Sequence, residues 1–148
     1  MLTGFLDWYR GVAEHKLDGL SLGDATMRMT PTHVCMLGIV KHLAWVETGW
    51  FRVRFLGEQL DRPENPESFH LAVDDTVESV LAGYRESCAR SRSITDDAPS
   101  LDTLAATVHP IYGTISLRWI LLHMTEETAR HAGHLDIIRE LIDGRTGD

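Results

Sequence analysis

The feature that most constrains the fold is a long, unbroken helical pattern of apolar residues near the C-terminus. Ser116 is a suitable N-cap, and Ile115 and Ile120 are spaced to form a hydrophobic staple around it. Gly144 is a natural C-terminal stop, so the pattern predicts a helix from Leu117 to about Asp143. The inward stripe of this helix, at spacings of three and four, comprises Leu117, Ile120, Leu121, Met124, Glu127, Thr128, His131, Leu135, Ile138 and Ile142. Partner helices must cover such a stripe.

Three earlier segments share the helical period, and no long segment alternates as a strand would. The first helix is predicted over about Leu2–Leu20. The second is predicted over about His33–Leu56, with Thr32 as its N-cap. The third opens after a cap at Asp74 or Asp75, where acidic residues suit the N-terminal end of a helix dipole. The sequence therefore predicts four helices.

The predicted helices are separated by long joins. The join "DRPENPESFH" has two prolines and no period, and the last join is expected to contain a short helical turn at "SLDTLAA". Long joins permit a helix order other than simple up-down-up-down. With 148 residues, the chain suits one domain, an all-α four-helix bundle over residues 1–148.

Composition limits the classes of partner and location. The net charge of −8 opposes nucleic-acid binding, which needs clustered basic residues, and disfavours an anionic membrane surface. The sequence has no apolar run long enough to cross a bilayer and no signal-peptide pattern at its start, so a cytoplasmic location is expected. Cys35 and Cys88 lie on inward stripes and are expected to be small core residues rather than nucleophiles.

Polar residues interrupt two of the apolar stripes. Glu127 and His131 are four positions apart, so they point the same way from the fourth helix, and His42 lies between Ile39 and Val46 on the second. A buried carboxylate is costly unless it is paired or coordinated. One cation bound by all three groups would satisfy them and leave coordination positions open, as in catalytic sites. The alternative is a hydrogen bond between Glu127 and His131 within the core.

Other polar and aromatic residues near these positions have open roles. His123 is either a further ligand, a partner of one, or a polar rim residue, and His134 either donates to a ligand or substrate or has no role. Both are candidate catalytic residues on this basis. Glu126 and Arg130 are expected on the opposite, solvated side of the helix. Three tryptophans either line a pocket or pack in the core: Trp45, Trp50 and Trp119.

Three blocks of sequence resemble the DinB-like superfamily of four-helix bundles. They are "LGIVKHLAWVETGWFR", "DDTVESVLAGYRESCARSR" and "SLRWILLHMTEETARHAGHLDIIRELIDG", and they are most similar to an actinobacterial branch near the mycothiol-dependent enzymes. The resemblance implies an up-down-down-up bundle, often dimeric, with a divalent metal held between the second and fourth helices. The positions that match the family's ligands are His42, Glu127 and His131, the last followed by Ala132 and Gly133.

The resemblance also bears on the metal and the chemistry. Many relatives have His where this chain has Glu127, whereas the mycothiol-dependent maleylpyruvate isomerase type has Glu. Zn²⁺ is the first expectation, and Ni²⁺ and Fe²⁺ accept such ligands too. The first hypothesis is a metal-dependent enzyme acting on a low-molecular-weight thiol, by a metal-activated thiolate or water: an S-transferase, isomerase or hydrolase. Its partners would be mycothiol, a small electrophile and a second copy of the chain.

The second hypothesis is a non-catalytic metal-binding or stress-response bundle that acts as a dimer. The two hypotheses differ in what the loss of His42 should do. An enzyme would lose turnover and keep its fold, whereas a structural metal site would lose stability with its metal.

Overall fold

The computed structural model describes residues 1–32 and 34–147, and the described chain is helical, with no β-strand. Two isolated bridges, Leu104–Ser116 and His109–Gly113, are its only strand-like pairings. The α-helices are α1 (Leu2–His15), α2 (Leu22–Ala25), α3 (Met36–Glu47), α4 (Val77–Asp97) and α5 (Leu117–Asp143). A π-helix (Thr48–Phe55) continues α3 directly, and a 3₁₀-helix (Pro66–Phe69) lies in the join before α4. The four long helices, α1, α3, α4 and α5, confirm the predicted all-α bundle.

The helix directions follow from two apolar clusters, one toward each end of the bundle. The first cluster takes residues from the C-terminal halves of α1 and α5 and the N-terminal halves of α3 and α4: Ala13, Leu37, Ile39, Leu81, Tyr84, Leu135 and Ile138 among them. The second takes the opposite halves, with Leu6, Val46, Phe51, Ile94, Ile120 and Met124 among its members. Helices α1 and α5 therefore run one way, and α3 and α4 the other. This is the up-down-down-up order that the family resemblance implied.

The start of α3 differs from the prediction. The N-cap is Cys35, whose sulfur accepts the backbone N–H of Gly38 at 3.4 Å, and not Thr32. The predicted first residue, His33, lies outside the described residues. Cys35 is buried in the first apolar cluster, as expected for a small core residue, and its sulfur also caps the helix. A sulfur cap was not foreseen because Ser, Thr, Asp and Asn are the usual N-caps.

The ends of two other helices, α1 and α4, also differ from the prediction. Helix α1 ends at His15, before the predicted end, and the chain then turns through Gly19 with a φ of 73°. Helix α4 is capped by Thr76 rather than by either preceding aspartate. Thr76 and Ser79 exchange side-chain-to-backbone hydrogen bonds in a capping box, while Asp75 pairs with Lys41 at 2.5 Å. Helix α4 also continues to Asp97, beyond Arg92, near which the apolar pattern of its sequence fades.

Helix α5 has the predicted ends. Ser116 accepts the backbone N–H of Trp119, and Gly144 adopts the left-handed conformation of a C-terminal stop, with a φ of 77°. Ile115 and Ile120 are both buried in the second apolar cluster, as a hydrophobic staple requires. The prediction of a helical turn at "SLDTLAA" is wrong. The segment forms a single hydrogen-bonded turn from Ser100 to Thr103, which is followed by the bridge at Leu104.

The π-helix after α3 replaces the regular α-helix expected up to Leu56. Its wider turns change the register of the second helix, so that Trp50, Val53 and Arg54 all line one cavity beside α5. In the described part of the chain, no helix combines the length and apolar character needed to cross a membrane.

Candidate metal centre

The structure brings the three predicted ligand residues together between α3 and α5. One ligand atom from each of His42, Glu127 and His131 lies within 4.8 Å of the other two. Glu127 Oε1 is 3.6 Å from His42 Nε2 and 3.2 Å from His131 Nε2. His42 lies on α3, and Glu127 and His131 lie one turn apart on α5.

The orientation of His42 is fixed by a residue of the join before α4. Ser68 donates its hydroxyl proton to the carbonyl oxygen of Asn65, so its oxygen is an acceptor for His42 Nδ1, which lies 2.7 Å away. His42 therefore carries its proton on Nδ1 and presents a lone pair on Nε2. The ring is stacked on Phe69, with centroids 3.8 Å apart and an interplanar angle of 10°. Ser68 and Phe69 thus aim Nε2 at Glu127.

This tautomer places two acceptors opposite each other. The lone pair of His42 Nε2 faces Glu127 Oε1 across 3.6 Å, with no proton available from the imidazole ring on that side. Two facing acceptors repel unless a proton or a cation lies between them. The geometry therefore fits a cation at this point better than a simple hydrogen-bonded core.

Both imidazoles are neutral at physiological pH. Burial lowers the pKa of His42 to about 3, helped by repulsion from His131 when that ring is protonated and from the positive charge of Arg130. Burial and Arg130 lower the pKa of His131 to about 4. Neutral imidazoles are the form that binds metal ions.

Glu127 is held by a residue that the sequence placed elsewhere. Arg130, predicted on the far side of α5, forms an ion pair with Glu127 Oε2, although much of its own side chain is exposed. Its length lets it reach one turn back along the helix. Glu126 is exposed, as predicted. With Oε2 occupied by Arg130, Oε1 is the carboxylate oxygen that faces the two histidines.

The donor set is suited to a transition metal. Two imidazole nitrogens and one carboxylate oxygen are typical ligands of Zn²⁺, Ni²⁺ and Fe²⁺, whereas Mg²⁺ and Ca²⁺ prefer oxygen alone. Three protein ligands leave positions for a water or a substrate. The second ring nitrogen of His131, Nδ1, is buried and has no hydrogen-bond partner among the described residues.

A cavity of about 390 Å³ opens beside the cluster, and His42 and Glu127 form part of its lining. Trp45 and Trp50 line it, while Trp119 lies behind, against Trp50 and His123. The remaining lining residues are Val46, Gly49, Val53, Arg54, Arg62, Asn65, His109, His123 and Arg130. Of these, Arg62 and Asn65 come from the join before α4 and His109 from the join before α5, neither of which has a sequence period.

The two further histidine candidates lie on different sides of the cluster. His123 lines this cavity and stacks on Trp119, with centroids 5.0 Å apart, but it does not join the three ligand atoms. His134 is exposed, its ring centroid 5.5 Å from that of His131. It lines a second, apolar cavity of about 500 Å³, together with His131 and Phe69. The cluster therefore stands between two cavities.

A second buried polar cluster, which the sequence analysis missed, lies on another face of α3. Glu47 is fully buried, and both of its oxygens accept hydrogen bonds from the guanidinium of Arg10 at 2.7 Å. Arg10 also pairs with Asp7 at 2.8 Å. The buried thiol of Cys88 lies 3.8 Å from Glu47, and burial together with that carboxylate raises its pKa well above that of an ordinary thiol. Cys88 is therefore protonated and a poor nucleophile.

The helix order and the cluster between α3 and α5 define a DinB-like helical bundle with a candidate metal site. The mycothiol S-transferase family model matches residues 1–144, and the chain belongs to that family. A conserved protein of a locus from Enterococcus faecalis has the same fold, with a TM-score of 0.71 and 15% identity over 97% of this chain and 96% of that one. No functionally curated protein matches the sequence significantly.

Proposed function

We propose that the protein is a divalent-metal-dependent S-transferase that joins mycothiol to a small electrophile. Membership of the mycothiol S-transferase family supports the thiol and the reaction class. The observation that carries the metal is the facing pair of acceptors, His42 Nε2 and Glu127 Oε1. Zn²⁺ is the ion proposed first, with Ni²⁺ and Fe²⁺ as alternatives for the same ligands.

Each residue of the cluster has a part in this proposal. His42, Glu127 and His131 would hold the ion, Ser68 keeps Nε2 of His42 unprotonated, and Arg130 keeps one oxygen of Glu127 engaged. The bound ion would supply Lewis acidity that favours the thiolate form of the thiol at neutral pH. The thiolate would attack the electrophile, a carbon–sulfur bond would form, and the leaving group would depart with its electron pair. The thiol proton would pass to solvent through the open cavity.

Metal analysis of untagged protein tests the site. Wild type should contain about one equivalent of a transition metal, and Glu127→Gln and His131→Asn should lose it. Glu126→Gln is the matched control, since it makes the same chemical change at the neighbouring exposed position and should keep the metal. Absence of metal from the wild type, even after reconstitution, would contradict the proposal.

Turnover tests the chemistry. Wild type loaded with zinc should speed the reaction of mycothiol with 1-chloro-2,4-dinitrobenzene, and His42→Ala should abolish that rate while keeping its helical circular dichroism signal. A rate that survives the loss of metal would show that the cluster does not activate the thiol. If no electrophile is turned over, an isomerase or hydrolase reaction at the same site becomes the next test.

The non-catalytic bundle is the second candidate, favoured by the 3.2 Å contact between His131 Nε2 and Glu127 Oε1. This contact can form a hydrogen bond without any metal. The candidate would gain support if His42→Ala lowered the melting temperature together with metal content and no thiol adduct formed under any condition.

The homodimer stays a prediction. Phe5 and Trp8 are exposed on α1, where such an interface could form, and analytical ultracentrifugation would test it.

A further inference from the structure

Two arginines in the cavity beside the cluster are bonded only to neutral groups. Most arginines of this acidic chain form ion pairs with carboxylates: Arg10, Arg52, Arg85, Arg90, Arg92, Arg118, Arg130 and Arg139. Arg54 and Arg62 line the cavity, and in residues 1–32 and 34–147 no carboxylate lies within ion-pair distance of either. Two uncompensated cations in one cavity of a protein with a net charge of −8 point to an anionic ligand.

Arg62 is held in place at the cavity wall. Its guanidinium carbon lies 4.1 Å from the centre of the Trp45 ring, and one guanidinium nitrogen donates to the carbonyl oxygen of Trp45. The side chain is only partly exposed, and burial without a nearby negative charge lowers its pKa. Cation–π stacking and one carbonyl leave several of its N–H groups available.

The space that Arg62 occupies exists because residue 49 is a glycine. A Cβ at Gly49 would lie 2.7 Å from both terminal nitrogens of Arg62, closer than a Cβ atom approaches a non-bonded neighbour. Gly49 lies within the π-helix, which also carries Arg54. The π-helix and the join before α4 therefore fit together at this guanidinium.

Arg54 is anchored by the join before α5. Its Nη1 donates to Thr107 Oγ1 and to the carbonyl oxygen of Val108, each at 3.0 Å. Both acceptors are neutral, so they orient the guanidinium without neutralising its charge. Besides these two arginines, the charged groups that face the cavity are Glu127 and Arg130, which pair with each other. The cavity therefore keeps a positive surplus next to the metal cluster.

We propose that Arg54 and Arg62 form a carboxylate-binding site, and that the electrophile used by this protein carries a carboxylate group. The inference rests on the proposed S-transferase function for the identity of its ligand. The thiol sulfur is already matched to the metal cluster, which leaves the arginines for the second substrate. Arginine binds carboxylates through two parallel hydrogen bonds. The aromatic rings of Trp45, Trp50 and His109 also line this cavity, so an apolar body attached to that carboxylate can contact them.

The test compares an acid with its ester. Binding of 4-chloro-3-nitrobenzoate and of its methyl ester is measured by isothermal titration calorimetry without thiol, on zinc-loaded protein and again after chelation. Wild type should bind the acid about tenfold or more tightly than the ester, as expected for charge-assisted hydrogen bonds. The preference should survive chelation, because the arginines and not the metal hold the carboxylate.

Variants assign the preference to the arginines. Arg62→Gln should reduce acid binding by about tenfold and leave ester binding unchanged. Gly49→Ala should act in the same direction, because it displaces the Arg62 guanidinium while the flexible side chain can yield without unfolding the helix. Arg85→Gln, which removes an exposed arginine of α4 outside the cavity, is the matched control and should bind both ligands like the wild type.

Three results would overturn the inference: equal binding of acid and ester by wild type, a preference lost on chelation, or a preference that neither variant reduces. If Arg62→Gln does not fold by circular dichroism, Gly49→Ala decides alone. Failure of the proposed function would look different. The acid preference would then persist while metal analysis or thiol turnover gave negative results.

Discussion

Helix α3 contributes to two buried polar clusters that differ in how their charges are balanced. At Glu47, both carboxylate oxygens accept hydrogen bonds from one guanidinium, and the cluster is closed to solvent. At His42, a lone pair faces a carboxylate oxygen across 3.6 Å, beside an open cavity. The first cluster is complete without a ligand. The second has its ligand atoms placed so that one cation can bind between them.

This difference separates a structural polar cluster from a functional one. Removing one member of a complete buried ion pair leaves an uncompensated charge, so the main effect should be on folding. Removing one ligand of the His42 cluster leaves less unbalanced charge, so the main effect should be on metal binding. Changes in the Glu47 cluster should therefore mainly reduce stability, whereas changes in the His42 cluster should mainly reduce metal binding.

The largest expected effect breaks the complete cluster. Arg10→Met keeps much of the side-chain volume but leaves Glu47 buried without its partner, and it should lower the free energy of unfolding by about 3–5 kcal/mol. Urea denaturation measures the change. Arg85→Met removes an exposed ion pair with Glu14 and should stay within about 1 kcal/mol of wild type. A cost for Arg10→Met as small as that of the control would show that the buried pair is unimportant to stability.

The next effect concerns metal and stability together. At a free zinc concentration a hundred times the dissociation constant, the wild type should gain about 2.7 kcal/mol in unfolding free energy. Glu127→Gln should gain far less at the same concentration, while Arg10→Met, although destabilised, should gain as much as wild type. Thermal and urea unfolding with and without zinc measure these gains. Equal gains in Glu127→Gln and wild type would contradict the assignment of the ligands.

A smaller effect tests how His42 is oriented. Ser68→Ala removes the acceptor that keeps the proton on Nδ1, and it should weaken zinc binding by about 10–100-fold, the usual cost of losing a hydrogen-bond partner of a metal ligand. Competition with a chromogenic chelator measures the affinity. Ser93→Ala, at an exposed serine of α4, should bind zinc like the wild type. Unchanged affinity in Ser68→Ala would mean that Phe69 alone orients the ring.

The smallest effect is a pH dependence of the metal-free protein. The pKa of His131 is lowered to about 4, below the value near 6.5 expected in the unfolded chain. Between these values the unfolded chain binds more protons, so stability falls as the pH falls. His131→Gln should therefore lose about 1 kcal/mol less than wild type between pH 7 and 5.5. Parallel curves for wild type and His131→Gln would contradict the buried neutral imidazole.

Helical periodicity was enough to predict the four long helices and the three candidate ligand residues. Charged and imidazole side chains at apolar positions of α3 and α5 stand out in a stripe, and the resemblance then indicated the helix order. The same signal existed for the second cluster. Arg10 lies between Leu6 and Ala13 on the inward face of α1, and Glu47 follows Leu43 by one turn of α3. Two opposite charges in two stripes predict a buried pair, and this signal was missed.

Other parts of the site could not be predicted because periodicity does not reach them. Ser68, Phe69 and Arg62 belong to a join that has no repeating pattern, and their contacts depend on how that join folds back on α3. Arg130 was misplaced for a different reason. Periodicity fixes the direction of a Cβ atom, but a long flexible side chain can place its charge a full turn away.

The two proposed binding functions, metal binding and recognition of the electrophile, lie on different elements of the chain. The proposed metal ligands lie on packed helices, where a substitution disturbs the core, whereas Arg62 lies on a join that can accept changes of sequence. Substitutions at residues 57–64 could therefore select new electrophiles while Asn65 and Ser68, which orient His42, are kept. A library randomised in that segment would vary the proposed substrate-binding residues and leave the proposed metal ligands unchanged.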